Sequence, residues 1–186
     1  FFLPGAPAKG LPHVYTVDAS AVVRINNRLT DLNEVRHPQK TTQFPATIAL
    51  ASTFNPELAK AYGEAVGYET RMAGAGVLLG PGMNIYRSSQ CGRNFEYFSE
   101  DPILAAALAV QYTLGMQDAG TAACVKHYAL NNQETNRLAN NSKVSERAMR
   151  EIYLKGFEIA VKEAQPWTIM SSYNYINGEH ASQSHR

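Results

Sequence analysis

The sequence has no surplus of charge. Lys and Arg total 17 against 16 Asp and Glu, a formal net charge of +1. Capture of nucleic acid or of an anionic membrane needs a concentrated excess of positive charge, so both partner classes are set aside. Long apolar runs are missing as well. Stretches such as Val77-Leu78-Leu79 fall far short of the roughly 20 residues needed to span a bilayer. Cysteine is scarce: Cys91 and Cys124 cannot build a disulfide framework and are expected to be free and buried. There is no initiator Met and no signal-peptide pattern, and Phe1-Phe2-Leu3-Pro4-Gly5 reads as a processed start. Metal and cofactor signatures are also lacking. Cys91, Cys124 and His127 have no zinc-site spacing. Gly74, Gly76, Gly80 and Gly82 surround a strand with the wrong spacing for a dinucleotide fingerprint. No metal and no cofactor are expected. Asn140-Asn141-Ser142 fits a glycosylation acceptor, a triplet that arises often by chance.

What is present suits one globular unit. The chain has 186 residues and is 45% hydrophobic, enough for a single core and too short for two ordinary domains. Short β-branched runs alternate with helical patterns. Val14 to Asp18 alternates and predicts a strand, and Pro45 to Ala49 predicts a short second one. The polar stretch between them, with Arg24, Arg28, Arg36 and His37, reads as a long loop. Asn55 followed by Pro56 predicts a helix start, and that helix runs to about Met72. Gly76 to Leu79 predicts a buried strand that leaves through Gly80-Pro81-Gly82. Asp101-Pro102 opens the next helix, and Gly120 closes it. Thr121 to Val125 predicts a strand ending at Lys126-His127. Asn131 to Lys143 is a polar loop, Ser145 caps a long helix through Phe157 and Ala160, and Trp167 to Met170 is the last strand.

This βαβ alternation predicts an α/β fold with parallel strands and right-handed crossovers. Near-continuous apolar strands suit a sheet covered on both faces. Two architectures qualify, a (β/α)8 barrel and a doubly wound open sheet. In both, ligands bind where the strands end. Asp18, Asn84, Arg87, Arg93, Lys126, His127, Ser171 and Tyr173 all fall just after predicted strand ends. A full barrel takes about 250 residues, so this length supplies about five of its strands.

Several of these residues carry recognisable chemistry. In the run Cys91-Gly92-Arg93-Asn94-Phe95-Glu96, the Arg93 guanidinium offers a rigid fork of donors suited to vicinal hydroxyls or a carboxylate, with Glu96 as a ready ion-pair partner. Lys126 and His127 emerge together at a strand end and can donate to neighbouring hydroxyls. Asp18 offers two acceptor oxygens, although an Asp in that position is more commonly a turn or helix cap. Met170 and Tyr173 end the last strand and suit either an apolar wall or ordinary packing.

The runs from Leu79 to Arg87, CGRNFEYFSEDP at 91–102, KHYALNNQETNR at 126–137 and the segment from Ser145 to Glu179 resemble family 3 glycoside hydrolases of the β-glucosidase and β-xylosidase type, in order and spacing. The resemblance covers about Leu11 to the C-terminus and implies the (β/α)8 barrel. It also implies that Asp18, Arg93, Lys126 and His127 hold a sugar in the −1 subsite, with Arg24 nearby and Met170 and Tyr173 lining it. Asp18-Ala19-Ser20 replaces the family's more frequent Asp-Gly-Pro and marks a subgroup. The loop from Tyr128 to Gln133 lacks the Pro-Gly-His-Gly of the N-acetylglucosaminidase members, which points to a neutral hexose or pentose. Retaining hydrolysis needs two carboxyl groups about 5 Å apart. By resemblance, both the nucleophilic Asp and the acid/base lie beyond Arg186, so residues 1–186 are expected to be part of a barrel domain and inactive alone. A β-glucoside or β-xyloside and the remainder of the enzyme are the implied partners, and the family resemblance favours a periplasmic or secreted location. The competing reading is a non-catalytic sugar-binding or assembly chain whose open barrel edge docks a complementing partner.

Overall fold

The computed structural model describes residues 2–19, 21–24 and 40–185. Arg28, Arg36 and His37 lie outside the described residues. In chain order the elements are β1 (Phe2–Leu3), β2 (Val14–Ala19), β3 (Val23–Arg24), α1 (Thr47–Ala51), α2 (Pro56–Met72), β4 (Val77–Leu79), α3 (Pro102–Asp118) and β5 (Ala122–Tyr128). They continue with β6 (Asn141–Ser142), α4 (Glu146–Ala148), α5 (Lys155–Glu163), β7 (Thr168–Ser171), β8 (Tyr175–Ile176) and β9 (Glu179–His180). The main sheet runs β1-β2-β4-β5-β7, and β3 pairs with β2. The pairs β2–β4, β4–β5 and β5–β7 are parallel, as the alternating pattern requires, while β1 and β3 are antiparallel to β2.

The long helices start where their caps dictate. Asn55 Oδ1 accepts the Leu58 N–H at 2.9 Å, and Asp101 Oδ1 accepts that of Ile103 at 2.7 Å. A proline then occupies the first turn of each helix, where no amide is needed. The two helices lie backbone against backbone. A Cβ on Gly63 would meet the Tyr112 carbonyl oxygen at 2.1 Å, and one on Gly115 would meet that of Lys60 at 2.1 Å. Only glycine permits this approach.

Side-chain alternation gives the sheet two distinct faces. Val17, Leu78, Ala123 and Val125 point to the helices and join one large core with Val66, Leu108, Met116 and Phe157. Val77, Ala122 and Cys124 point the other way and form a small apolar cluster flanked by Leu79 and Met170. The register Asp18↔Leu79 and Lys126↔Met170 puts Asp18 and Lys126 at the C-terminal rim of this second face. Both cysteines are free and buried.

Three expectations need correction. Pro45 to Ala49 is no strand: α1 occupies Thr47–Ala51 and buries Thr47, Leu50 and Ala51, a helical spacing that extends past the segment read as β. The polar stretch after Asp18 is not all loop, because β3 returns along β2 and sets Arg24 opposite Asp18. The helix capped by Ser145 is not uniform. Met149–Tyr153 is a π turn between α4 and α5. That turn lets Met149 pack with Ala129 and Leu130, while Phe157 and Ala160 join the main core.

The glycine contact yields a sharp expectation. In an exposed helix interior, Gly→Ala stabilises by about 1 kcal/mol. Gly115→Ala is expected to lower stability by about 1–3 kcal/mol, because the added methyl must push apart two rigid backbones. Urea unfolding midpoints decide it, and an unchanged or raised midpoint refutes the close-packed interface.

Candidate active site

The rim is assembled by three connections that follow strands. After β4 the chain turns through Gly80-Pro81-Gly82 and runs beside the end of β5. Lys126 N–H donates to Pro81 O at 3.0 Å, and Met83 N–H donates to Lys126 O at 2.7 Å. Asn84 extends this ladder with its side chain: Nδ2 donates to His127 O and Oδ1 accepts His127 N–H, each at 2.9 Å. The β5 strand therefore continues to Tyr128 and carries Lys126 and His127 inside the sheet, three residues beyond the predicted end. Gly82 leaves room for the aromatic turn that follows, since a Cβ there would lie 2.9 Å from the Tyr97 ring. That turn, Asn94–Glu96, is tied to α1 by Thr47, whose hydroxyl donates to Phe95 O at 3.1 Å.

These supports bring four charged groups together. Lys126 Nζ lies 3.1 Å from Asp18 Oδ1 and 3.6 Å from Glu96 Oε2. Arg93 Nε donates to Glu96 Oε1. Lys126 is 2% exposed and Glu96 4%, so the ammonium and one carboxylate are buried, whereas the Asp18 side chain is 52% exposed. Above them is a cavity of about 260 Å³ lined by Asp18, Arg24, Arg93, Phe95, Glu96 and Arg137. A larger hollow of about 620 Å³ is lined by Arg87 and Glu134 among others, and Asp18, Arg24, Arg93, Lys126, His127, Met170 and Tyr173 are absent from its lining. In the smaller cavity the acceptors Asp18 and Glu96 converge with the guanidinium donors of Arg24, Arg93 and Arg137.

His127 is buried beneath the rim. Its Nδ1 lies 3.2 Å from both the Tyr97 hydroxyl and Asn84 Oδ1. Asn131 Nδ2 donates to the Tyr97 hydroxyl and to Glu134 Oε1, each at 3.1 Å, and Arg137 pairs with Glu134 at 3.2 Å. Burial, followed by the charges of Arg93, Lys126 and Arg137, holds the His127 pKa far below the ordinary imidazole range. For Arg93, burial opposes the charge, but the hydrogen bond and Coulomb attraction of Glu96 outweigh it and raise its pKa.

Asp18, Arg24 and Arg93 thus line one cavity, with Lys126 directly beneath through its bond to Asp18. Met170 sits at the Lys126 register but packs on the inner apolar cluster and does not line the cavity. Tyr173 is exposed, and the Arg137 guanidinium lies 5.2 Å from its ring centroid, so it reaches the cavity edge only through Arg137. Asp18 is no helix cap, since it lies within β2. Sequence reasoning treated Glu96 only as a partner of Arg93. Its second contact, with Lys126, is invisible in a linear spacing. Tyr97, Asn131 and Arg137 were missed, although their runs were singled out.

The buried neutral imidazole has a consequence for pH. His127 has a lower pKa folded than unfolded, so below pH ~6.5 the unfolded state takes up a proton that the folded state refuses. Stability must fall as pH drops through that value. Between pH 7 and 5 the wild type is expected to lose about 2 kcal/mol more than His127→Gln, measured by urea unfolding at both pH values. Equal losses would mean that His127 is protonated in the fold.

The sequence matches the glycosyl hydrolase family 3 N terminal domain over residues 32–186. It is 46% identical over 183 residues to a beta-glucosidase of Bacteroides ovatus, covering 98% of this chain and 24% of that protein. An exo-alpha-(1->6)-L-arabinopyranosidase of Bifidobacterium longum is 44% identical over 187 residues, with 98% of this chain and 24% of the relative covered. Beta-glucosidase 3B from Thermotoga neapolitana, in a structure in complex with glucose, superposes with a TM-score of 0.89 at 49% identity, covering 97% of this chain and 25% of that one. The chain therefore spans about a quarter of the length of these relatives. With the parallel βα architecture and this agreement along nearly the whole sequence, the chain belongs to glycosyl hydrolase family 3.

Proposed function

We propose that this chain forms the sugar-holding floor of a retaining, exo-acting β-glycosidase site, of the β-glucosidase or β-xylosidase kind. In this reading, residues 1–186 are a stretch of the barrel domain. The nucleophilic Asp and the acid/base come from polypeptide outside these residues. The observation that carries the proposal is the 260 Å³ cavity, where a half-exposed carboxylate, Asp18, meets the guanidinium groups of Arg24, Arg93 and Arg137. Such a set reads vicinal hydroxyls: Asp18 accepts from two, and the guanidinium forks donate. Lys126 has three N–H donors, of which one goes to Asp18, while Glu96 at 3.6 Å balances its charge, so donor capacity remains for a hydroxyl. His127 contributes from the same strand end. Met170 and Tyr173 border the site, Met170 from the inner apolar face and Tyr173 through Arg137.

The charge pairing fits holding and not attack. Asp18 is engaged by Lys126, and Glu96 by both Arg93 and Lys126. A carboxylate held between two cations is a poor nucleophile, so covalent chemistry is assigned to other groups. Hydroxyl contacts of this kind strengthen as the ring moves toward the oxocarbenium-like transition state, so they contribute to turnover as well as to affinity.

In an enzyme carrying this segment with its remaining polypeptide, Asp18→Asn is expected to lower kcat/KM for an aryl β-glucoside by about 2–4 kcal/mol of transition-state stabilisation. The melting temperature should hardly move, because the replaced side chain is half exposed. Unchanged kinetics would remove Asp18 from the subsite. Lys126→Ala and His127→Ala are expected to lose turnover on a similar scale, and normal turnover with a lowered melting temperature would make them structural. The 186-residue chain by itself is expected to show no hydrolysis of the same substrate, and measurable activity free of contaminating enzyme would overturn the assignment of the carboxyl pair.

A further inference from the structure

We propose that Tyr97 is a positioning residue: its phenol fixes His127 as the tautomer with the proton on Nε2, so that the imidazole presents an N–H donor to the substrate. The role toward substrate rests on the sugar-binding reading above. The tautomer itself does not.

The argument follows the protons. Among the described residues the Tyr97 hydroxyl has two hydrogen-bond partners, Asn131 Nδ2 at 3.1 Å and His127 Nδ1 at 3.2 Å. The Asn131 amide cannot be turned around, because the same NH2 group faces Glu134 Oε1 at 3.1 Å and a carboxylate only accepts. Asn131 is thus a donor to the phenol. The phenol proton is left with one acceptor, His127 Nδ1. Tyr97 is 0% exposed, so no bulk water replaces that acceptor, and an unbonded hydroxyl there would carry its full desolvation penalty. Burial also raises the Tyr97 pKa and lowers that of His127. Both groups are therefore neutral, and the bond between them is phenol O–H to imidazole nitrogen.

One group competes. Asn84 Oδ1 lies 3.2 Å from the same Nδ1 and would accept from an Nδ1–H. Its orientation is also fixed, since Oδ1 accepts the His127 backbone N–H while Nδ2 donates to the His127 carbonyl. That oxygen, however, keeps its bond from the backbone amide whichever tautomer forms, so it is not left without a partner. The phenol has no second outlet. Tyr97 prevails, and Asn84 waits as the acceptor that takes over if the phenol is removed. Tyr97→Phe should therefore do more than delete one bond: it should move the imidazole proton from Nε2 to Nδ1.

The test is ¹⁵N-histidine NMR of the 186-residue chain at pH 7, with His127 identified as the signal missing from His127→Gln. The expected pattern is a pyrrole-type Nε2 and a pyridine-type Nδ1 in the wild type, reversed in Tyr97→Phe. A pyrrole-type Nδ1 in the wild type overturns the proposal, as does an unchanged pattern in a folded Tyr97→Phe. If that variant fails to fold, the wild-type pattern alone decides. The second arm uses the longer enzyme, where Tyr97→Phe is expected to cut kcat/KM by about tenfold with little change in melting temperature. A reversed tautomer with unchanged kinetics would overturn the positioning role and the sugar-binding reading beneath it, while leaving the tautomer assignment standing.

Discussion

A buried ammonium organises this structure. Lys126 is 2% exposed at the end of β5, and a charge so placed is tolerated only when carboxylates answer it. Asp18 arrives from β2, and Glu96 arrives from the turn before α3. Each needs its own support. Asp18 depends on parallel pairing through β4, and Glu96 depends on Thr47 and Gly82 to seat its turn. The rim thus couples three βα units through one cation. Removing Glu96, the buried carboxylate, leaves charge uncompensated in a low-dielectric place, which is costlier than losing an ordinary surface ion pair; Asp18→Asn keeps an acceptor for the ammonium and leaves Glu96 to balance it.

Around this centre the molecule separates two tasks. The helix-facing side of the sheet is apolar and closely packed, with α2 and α3 joined through glycine. The opposite side is small and apolar below, and charged at the top. Asp18 and Arg24 are held on paired strands, while Arg93, Phe95, Glu96 and Arg137 come from a turn and a loop that ion pairs and hydrogen bonds tie to the rim.

Much of the fold could be read directly from the chain. Asn55-Pro56 and Asp101-Pro102 carry their helix starts locally, and the apolar runs at Leu78 and Ala123 mark central strands. Where reading failed, the deciding contact was distant in sequence. Thr47 lies in a helix that buries Leu50 and Ala51 and sends its hydroxyl to the Phe95 and Tyr97 carbonyls. The β5 strand outruns its apolar run because Pro81, Met83 and Asn84 supply hydrogen bonds from another loop. The site divides in the same way. Asp18, Arg93, Lys126 and His127 stand out by chemistry at predicted strand ends, while Arg24 was indicated only by the resemblance; Asp18, Arg24 and Arg93 line the cavity, with Lys126 bonded to Asp18 and His127 buried next to Lys126. Tyr97 and Asn131 look like packing or loop residues until the hydrogen-bond path to His127 is traced. Met170 and Tyr173 fall at the end of β7 as expected, and neither is among the residues lining the cavity.

Two of the three contacts that Asn84 makes with His127 go to main-chain atoms, the amide and carbonyl of that one residue. The side chain at that position takes no part in these two bonds. The rim therefore works as a socket: the backbone is seated first, and whatever side chain it bears is delivered to the same place. Such an arrangement lets the chemistry displayed at the strand end change through descent without reshaping the scaffold beneath it.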